Sequence, residues 1–385
     1  MDFTLTDEQQ QFGDTVRRYL ERHYGFEARR AIVHSPEGVS DTHWQAFAEL
    51  GLMALPVPEA QGGFNGNAID MMVVMQALGR GLVVEPYWAT AVGVEALRVA
   101  ASGACADTLL APLLEGVAQG KNRLAVAFHE PHARYDLFSL ATLATATQQD
   151  GLYRLEGIKS VVQHGAQADH WIVPARLADE IVLFLVARDA AGVDVTEYRT
   201  IDGQRAATLT FRSTPGRRLS APGCGAERLE QIADYGVVLL CAEALGALDA
   251  LNHATLEYTK TRQQFGVPVA RFQALQHRMV DMLIHTEQAR SLTWLAAMRY
   301  ASTDTEVRHR AVSAAKTRVG QAARFVGQQA IQLHGGMGVT DEVAVAHLFK
   351  RLTVIETTLG DVDHHLARFA ALPGFANTVA YAPVS

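Results

Sequence analysis

Residues 332–338 read QLHGGMG, a glycine cluster at the end of an amphipathic run. Two kinds of chemistry would account for it. Glycine ends helices because it takes a left-handed backbone without steric cost. Bare backbone also lets a phosphate-bearing ligand approach main-chain N–H groups. A second stretch, TRQQFGVPVARFQ at 261–273, sets Arg262 and Arg271 among aromatic and glycine residues. Guanidinium groups hold phosphate oxygens through forked, charge-assisted hydrogen bonds, and they are equally at home as surface charges. A third stretch, DVDHH at 361–365, collects metal-ligand residue types. Adjacent histidines on a helix diverge by about 100°, and no second cluster at ligand spacing accompanies them, so no metal site is expected.

The chain around these residues has 385 positions, 49% of them apolar, enough for two or three packed regions. A net charge of −7 with no clustered Lys and Arg argues against a nucleic-acid surface. Cys105, Cys224 and Cys241 are scattered, which suggests neither a disulfide framework nor a zinc site and fits a reducing cytoplasm. The opening MDFTLTDEQQQF lacks the basic-then-apolar pattern of a secretory signal. YGVVLLCAEALGALDAL at 235–251 carries Glu243 and Asp249 within its length and reads as a buried helix, so no membrane span is expected.

Thr6 followed by Gln9 has the form of a capping box, with Phe12, Val16 and Leu20 at four-residue spacing behind it. Asp41 is placed to cap a helix bearing Trp44, Phe47 and Leu50 that Gly51 stops, and residues 67–82 continue the helical pattern. Residues 1–120 are therefore expected to form an α-helical domain. From 121 to 225 the pattern changes to short β-rich runs, LAVAF, YRLEG, SVVQHG, HWIVPA, EIVLFLVA, VDVTEY and AATLTF, which suit a small antiparallel sandwich or barrel. Helical periodicity returns over 226–385, with long segments at about 226–261, 273–301 and 304–334 that imply a helical bundle. The class is α+β.

With TRQQFGVPVARFQALQHRMVDM at 261–282 and QLHGGMGVTDE at 332–342 in that α, β, α order, the chain resembles the acyl-CoA dehydrogenase family over essentially its full length. The two stretches match the family patterns R-x-x-FG-x-x-[apolar]-x-x-[FH]-Q and Q-x-x-GG-x-G without a gap. The resemblance implies a C-terminal four-helix bundle and FAD in a crevice completed by a neighbouring subunit. It places Arg262, Gln264, Phe265, Gln332, Gly335 and Gly336 against the pyrophosphate and adenosine, with Phe272 and Gln273 extending the contact. Core packing is the other reading of both phenylalanines. The reaction implied is α,β-dehydrogenation of an acyl-CoA to a 2-enoyl-CoA, with an electron-transfer flavoprotein taking the electrons.

The match breaks at the catalytic base. The family glutamate, in a loop of the form E-G-T, aligns with Leu359, followed by Gly360 and Asp361, and the alternative position near the start of the long helix aligns with Gly236. Glu356 and Asp361 are the nearest substitutes, with Asp234 and Glu243 close to the other position. The family pattern T-E-P-x-A-G-S-D appears as HEPHARYD at 129–136, with Arg134 and Tyr135 in place of Gly-Ser, and W-[IT]-[TS]-N-G appears as VVQHG at 161–165. His129 and His164 flank the expected flavin position. The half-site this chain would give its own flavin thus looks degraded, while the half it would lend a neighbour looks intact. GDVDHHLARFA at 360–370 resembles the small subunit of two-component members of the family, so the expectation is an α₂β₂ assembly whose partner supplies the base. The alternatives are a homo-oligomer and a non-catalytic subunit that only completes the partner's FAD site.

Overall fold

The capping box forms as expected in the computed structural model, which describes residues 4–100, 105–149 and 151–373, with no side-chain description over 105–109. Thr6 caps α1 (Asp7–His23), its hydroxyl accepting from the Gln9 N–H while the Gln9 side chain returns to the Thr6 N–H. α2 (Phe26–His34) and α3 (Asp41–Glu49) follow, and the cap of α3 is Ser40, not Asp41. A hydroxyl one residue earlier reaches the same orphan amides, which is why the sequence pattern misplaced it by one. α4 (Ala68–Arg80), α5 (Tyr87–Ala100) and α6 (Cys105–Ala118) complete the first helical stretch.

The strands are β1 (Leu124–Val126), β2 (Leu143–Ala146), β3 (Leu152–Gln163), β4 (His170–Leu177), β5 (Glu180–Ala187), β6 (Val193–Arg199) and β7 (Arg205–Arg218). Neighbour pairing runs β4, β2, β3, β7, β5 and returns to β4, so the sheet closes on itself, with β1 added beside β4 and β6 beside β7. A closed sheet leaves few open edges. The sheet is mixed and not wholly antiparallel, because β1 and β2 each run parallel to β4. β2 escaped sequence reading because LATA buries only Ala144 and carries no alternating apolar pattern. YRLEG and SVVQ, read as two runs, form the single strand β3, which absorbs its irregularities as register shifts at Gly157 and between Lys159 and Val162.

The long helices are α7 (Gly225–Thr261), α8 (Gln273–Tyr300) and α9 (Thr305–His334), followed by α10 (Ala344–Thr357) and α11 (Val362–Ala370). Val237, Leu240, Ala244 and Ala247 of α7 are all buried, and α7 alone among the described residues has the length and apolarity to cross a membrane; that apolar stretch is buried within the fold. Two compact units emerge. One contains Met1–Phe26, Met72–Val83 and Val237–Ser385, and the other Glu27–Met71 and Val84–Gly236. In the first, Gly79 and Gly246 let α4 and α7 meet backbone to backbone: a Cβ on Gly246 would lie 1.9 Å from the Gln76 carbonyl oxygen. In the second, the buried Arg29 donates to the Asp202 carbonyl at 2.8 Å and joins α2 to the turn between β6 and β7.

Candidate active site

Just past the end of α7, β8 (Gln263–Gln264) pairs with β9 (Val267–Pro268) around a two-residue tip. Phe265 and Gly266 have φ of 56° and 78°, the signature of a type I′ turn. Glycine suits that geometry, but a phenylalanine held there carries about 1–2 kcal/mol of backbone strain. Phe265 is 91% exposed and meets Phe272 edge-on, ring centroids 6.1 Å apart. Phe272, at the start of α8, is also exposed, so neither ring fills the core of the chain. Arg262 and Gln264 are exposed beside them, and the Arg262 carbonyl accepts the Val269 N–H at 2.8 Å.

α9 ends at the glycine cluster, and its three glycines differ. Gly335, at φ 59° and ψ −139°, takes a backbone that other residues rarely reach. Gly338 is needed for packing, since a Cβ there would lie 2.7 Å from the Ile331 carbonyl oxygen. Gly336 answers to neither demand: its φ is not in the left-handed region and an added Cβ would meet nothing within 4 Å. The space beside it suits a ligand's approach to the backbone. Gln332 is exposed one turn earlier. Tyr258, one turn before Arg262, stacks on His334 with ring centroids 4.4 Å apart and donates to the His334 carbonyl at 3.3 Å. That stack fixes the end of α7 to the end of α9 and brings the two motifs to one end of the bundle. Burial pushes the His334 pKa down, and its Nδ1 lies 2.8 Å from the Ala330 carbonyl oxygen, so the neutral ring donates there.

The carboxylates are engaged. Glu356, in the last turn of α10, is buried and accepts from Arg324 at 3.0 Å. Asp361 caps α11, accepting the His364 N–H at 2.9 Å. Between them Leu359 is buried, with φ 56°, and its carbonyl oxygen lies 3.0 Å from Nε2 of the buried His365. Glu243 forms a two-pronged ion pair with Arg351, and the Gly236 carbonyl accepts the Trp88 indole N–H at 3.0 Å. Asp234 is buried. Among the described residues no group of three or more His, Cys, Asp and Glu is placed to hold a metal.

His365 yields a pH prediction. Burial first, then the Lys316 charge, hold its pKa well below the ordinary value of 6.5. A histidine kept neutral by the fold stabilises it above that ordinary value, and the contribution is lost as pH falls below it, by at most about 1.4 kcal/mol per pH unit. His365→Gln, which keeps a donor for the Leu359 carbonyl, is expected to flatten the fall in denaturation midpoint between pH 6.5 and pH 5.5 relative to the parent chain. Identical slopes would show that His365 does not titrate in this way.

The strand segments form a second cluster, within the β-containing unit. His129 bridges to Ser160, whose N–H donates to its carbonyl at 2.8 Å, and Lys159 donates to Glu130 at 2.7 Å with both side chains buried. HEPHARYD and VVQHG are thereby held side by side. Arg134, exposed and left-handed, lies over the Tyr135 ring at 5.1 Å, so the place of the small Gly-Ser pair is filled by bulk. Val161 and His164 are left-handed too; the Val161 N–H donates to the Tyr198 hydroxyl, and His164 Nε2 lies 2.9 Å from Gln204 Oε1. Burial lowers the His129 pKa, against a hydrogen bond with the Arg134 backbone. Of the nine described non-glycine residues with positive φ, Arg134, Val161, His164, Phe265 and Leu359 lie in segments singled out by motif, and strain of this kind collects at functional sites. Sequence motifs gave no sign of it, nor of Lys316 and Tyr258.

Three family models match in order: the acyl-CoA dehydrogenase N-terminal domain over residues 6–117, the middle domain over 125–214 and the C-terminal domain over 223–371. Acyl-CoA dehydrogenase IpdE2 of Mycobacterium tuberculosis is 29% identical over 355 residues, 90% of this chain and 92% of its own. Among solved structures, a variant of the Tcur3481-Tcur3483 steroid ACAD superposes with a TM-score of 0.89 at 29% identity, covering 97% of this chain and all of its own. The ChsE4-ChsE5 complex from Mycobacterium tuberculosis gives 0.86 at 25% identity, with both chains fully covered.

Proposed function

The chain belongs to the acyl-CoA dehydrogenase family, and from that premise we propose that it serves flavin-dependent α,β-dehydrogenation of an acyl-CoA thioester as one subunit of a hetero-oligomer whose partner supplies the catalytic base. The observation that carries the reading is the state of the base positions. Leucine and glycine occupy them, and neither can take a proton. Glu356, Asp361 and Glu243 nearby are held by Arg324, the His364 N–H and Arg351 respectively. The similarity to members of the Tcur3481-Tcur3483 and ChsE4-ChsE5 pairs supports the two-component form.

The residues present fit FAD on the half that would be lent. The exposed Arg262 offers a fork to the pyrophosphate, Gly335 and Gly336 leave the backbone open to it, and Gln264, Phe265, Phe272 and Gln332 line the approach. When bound, FAD supplies the hydride acceptor for the acyl β-carbon. The work of this chain is to hold the phosphates, with the α-proton left to the partner's base. An electron-transfer flavoprotein is the acceptor the reading calls for.

FAD content tests this. Expressed alone, the chain is expected to purify with little flavin, and co-expression with a second dehydrogenase subunit is expected to give a flavin-loaded complex. Arg262→Ala in that complex is expected to weaken FAD binding roughly 10- to 100-fold, the worth of a charge-assisted hydrogen bond, with circular dichroism unchanged. One FAD per chain in the isolated protein would overturn the two-component reading. It would favour instead a homo-oligomer with Glu356 as base, freed by a swing of Arg324, whose side chain is 63% exposed. Full flavin retention by the variant would overturn the lending role of Arg262.

A further inference from the structure

Lys316 lies in the middle of α9, 1% exposed, and its ammonium meets three backbone carbonyls: Glu356 at 2.9 Å, Thr358 at 2.8 Å and Gly360 at 2.6 Å. An ammonium has three N–H donors, and each is accounted for by an alternate residue of one short segment. The first of these carbonyls belongs to the last turn of α10, where orphan carbonyls and the negative end of the helix dipole favour a cation. The odd member of the series, Leu359, turns its carbonyl to His365 on α11. One turn along α9, a Cβ on Gly320 would lie 2.7 Å from Val362 and 3.2 Å from Glu356, so helix and segment are in close contact. The segment wraps the ammonium.

We infer that Lys316 is a positioning residue: by gathering the carbonyls of Glu356, Thr358 and Gly360 it sets the course of the segment from Glu356 to Asp361, holds Leu359 in its left-handed conformation and fixes where both neighbouring carboxylates stand. Leu359 alone would not take φ 56° in a loop free to relax. Each bond made by the ammonium compensates that strain. The inference concerns the conformation of the segment and holds whichever subunit carries the base.

The groups facing the ammonium are the Cys241 thiol from α7, the Glu356 carboxylate from α10, Asp361 at the start of α11, and His365 on α11. Burial lowers the Lys316 pKa to about 8, against the pull of the Glu356 and Asp361 carboxylates, while burial pushes the Cys241 thiol up to about 12, so that it stays protonated beside the ammonium, and His365 stays neutral.

Hydrogen exchange read by mass spectrometry on the full chain tests the inference in two ways. In Lys316→Met, the amides of His364 and His365, which bond to the Asp361 side chain and carbonyl, are expected to exchange roughly 10- to 100-fold faster, the equivalent of one or more charge-assisted hydrogen bonds. Amides in the core of α7 should be unchanged. Lys316→Arg should not rescue, because a planar fork cannot direct three donors to carbonyls arranged around one centre. Unchanged exchange in the segment of a folded Lys316→Met, or full rescue by arginine, would overturn the assignment. If the methionine variant fails to fold, Lys316→Gln decides: its amide offers two N–H donors to three carbonyls, so His364 and His365 are expected to exchange faster than in the parent chain by roughly the worth of one charge-assisted hydrogen bond, and parent-like exchange in the segment would overturn the assignment.

Discussion

Replacing Arg351 by methionine is expected to lower the stability of the chain by about 3–5 kcal/mol, because it leaves Glu243 buried and charged without its partner. The two groups meet through two bonds, Nε to Oε1 at 2.6 Å and a terminal guanidinium nitrogen to Oε2 at 2.7 Å, with side chains 4% and 6% exposed. Screening does little at that depth, and the pair ties α10 to the middle of α7. A domain stability of about 5–15 kcal/mol makes such a loss a large fraction of the whole. The double variant Glu243→Leu/Arg351→Met removes both charges together and is expected to recover most of it, since an apolar pair of similar volume often matches a buried ion pair. Urea denaturation of the two variants decides the matter. Equal losses in single and double variants would show that packing, not an orphaned charge, is what Arg351 provides.

Glu130→Gln is expected to cost a similar amount, about 3–5 kcal/mol, and more than Lys159→Met, at about 1–3 kcal/mol. The asymmetry lies in what each removal leaves behind. Glu130 also accepts the backbone N–H groups of Ala141 at 2.7 Å and Thr142 at 3.2 Å, so it keeps partners when the lysine goes. Lys159 has its ammonium against Glu130 at 2.7 Å and is fully buried. Burial alone would raise the Glu130 pKa, but the nearby ammonium and the hydrogen bonds outweigh it and hold the carboxyl below its usual value. Burial pushes the Lys159 pKa down to about 8 despite the carboxylate, so the lysine is the more dependent partner. The reverse order of losses on denaturation would contradict this account. Because the pair holds HEPHARYD against VVQHG, Glu130→Gln should also speed proteolysis within residues 129–136.

Long-period features were legible from sequence. Three helices of the bundle appear within a residue or two of the 226–261, 273–301 and 304–334 segments, since repeated apolar rows leave a helix no alternative face to bury. Long glycine motifs carried the family. What could not be read is the geometry set by partners distant in sequence. Leu359 was visible as the wrong residue for a base, but its left-handed backbone depends on Lys316, 43 positions earlier. Asp361 and Glu356 were visible as carboxylates near the right place; their engagement by His364 and Arg324 was not. β2 went unseen because its four residues pair by position in a closed sheet and not by any preference of their own.

The type I′ hairpin has a consequence for how this chain meets its surroundings. Its tip holds an aromatic ring 91% exposed on a backbone fixed by paired strands and braced by Phe272. The entropy of ordering that loop is lost when the chain folds, before anything touches it, so a surface that receives Phe265 meets an anchor already in shape. Recognition there should be governed by the fit of the receiving pocket, with little induced movement of the hairpin and a rate close to that of rigid-body encounter.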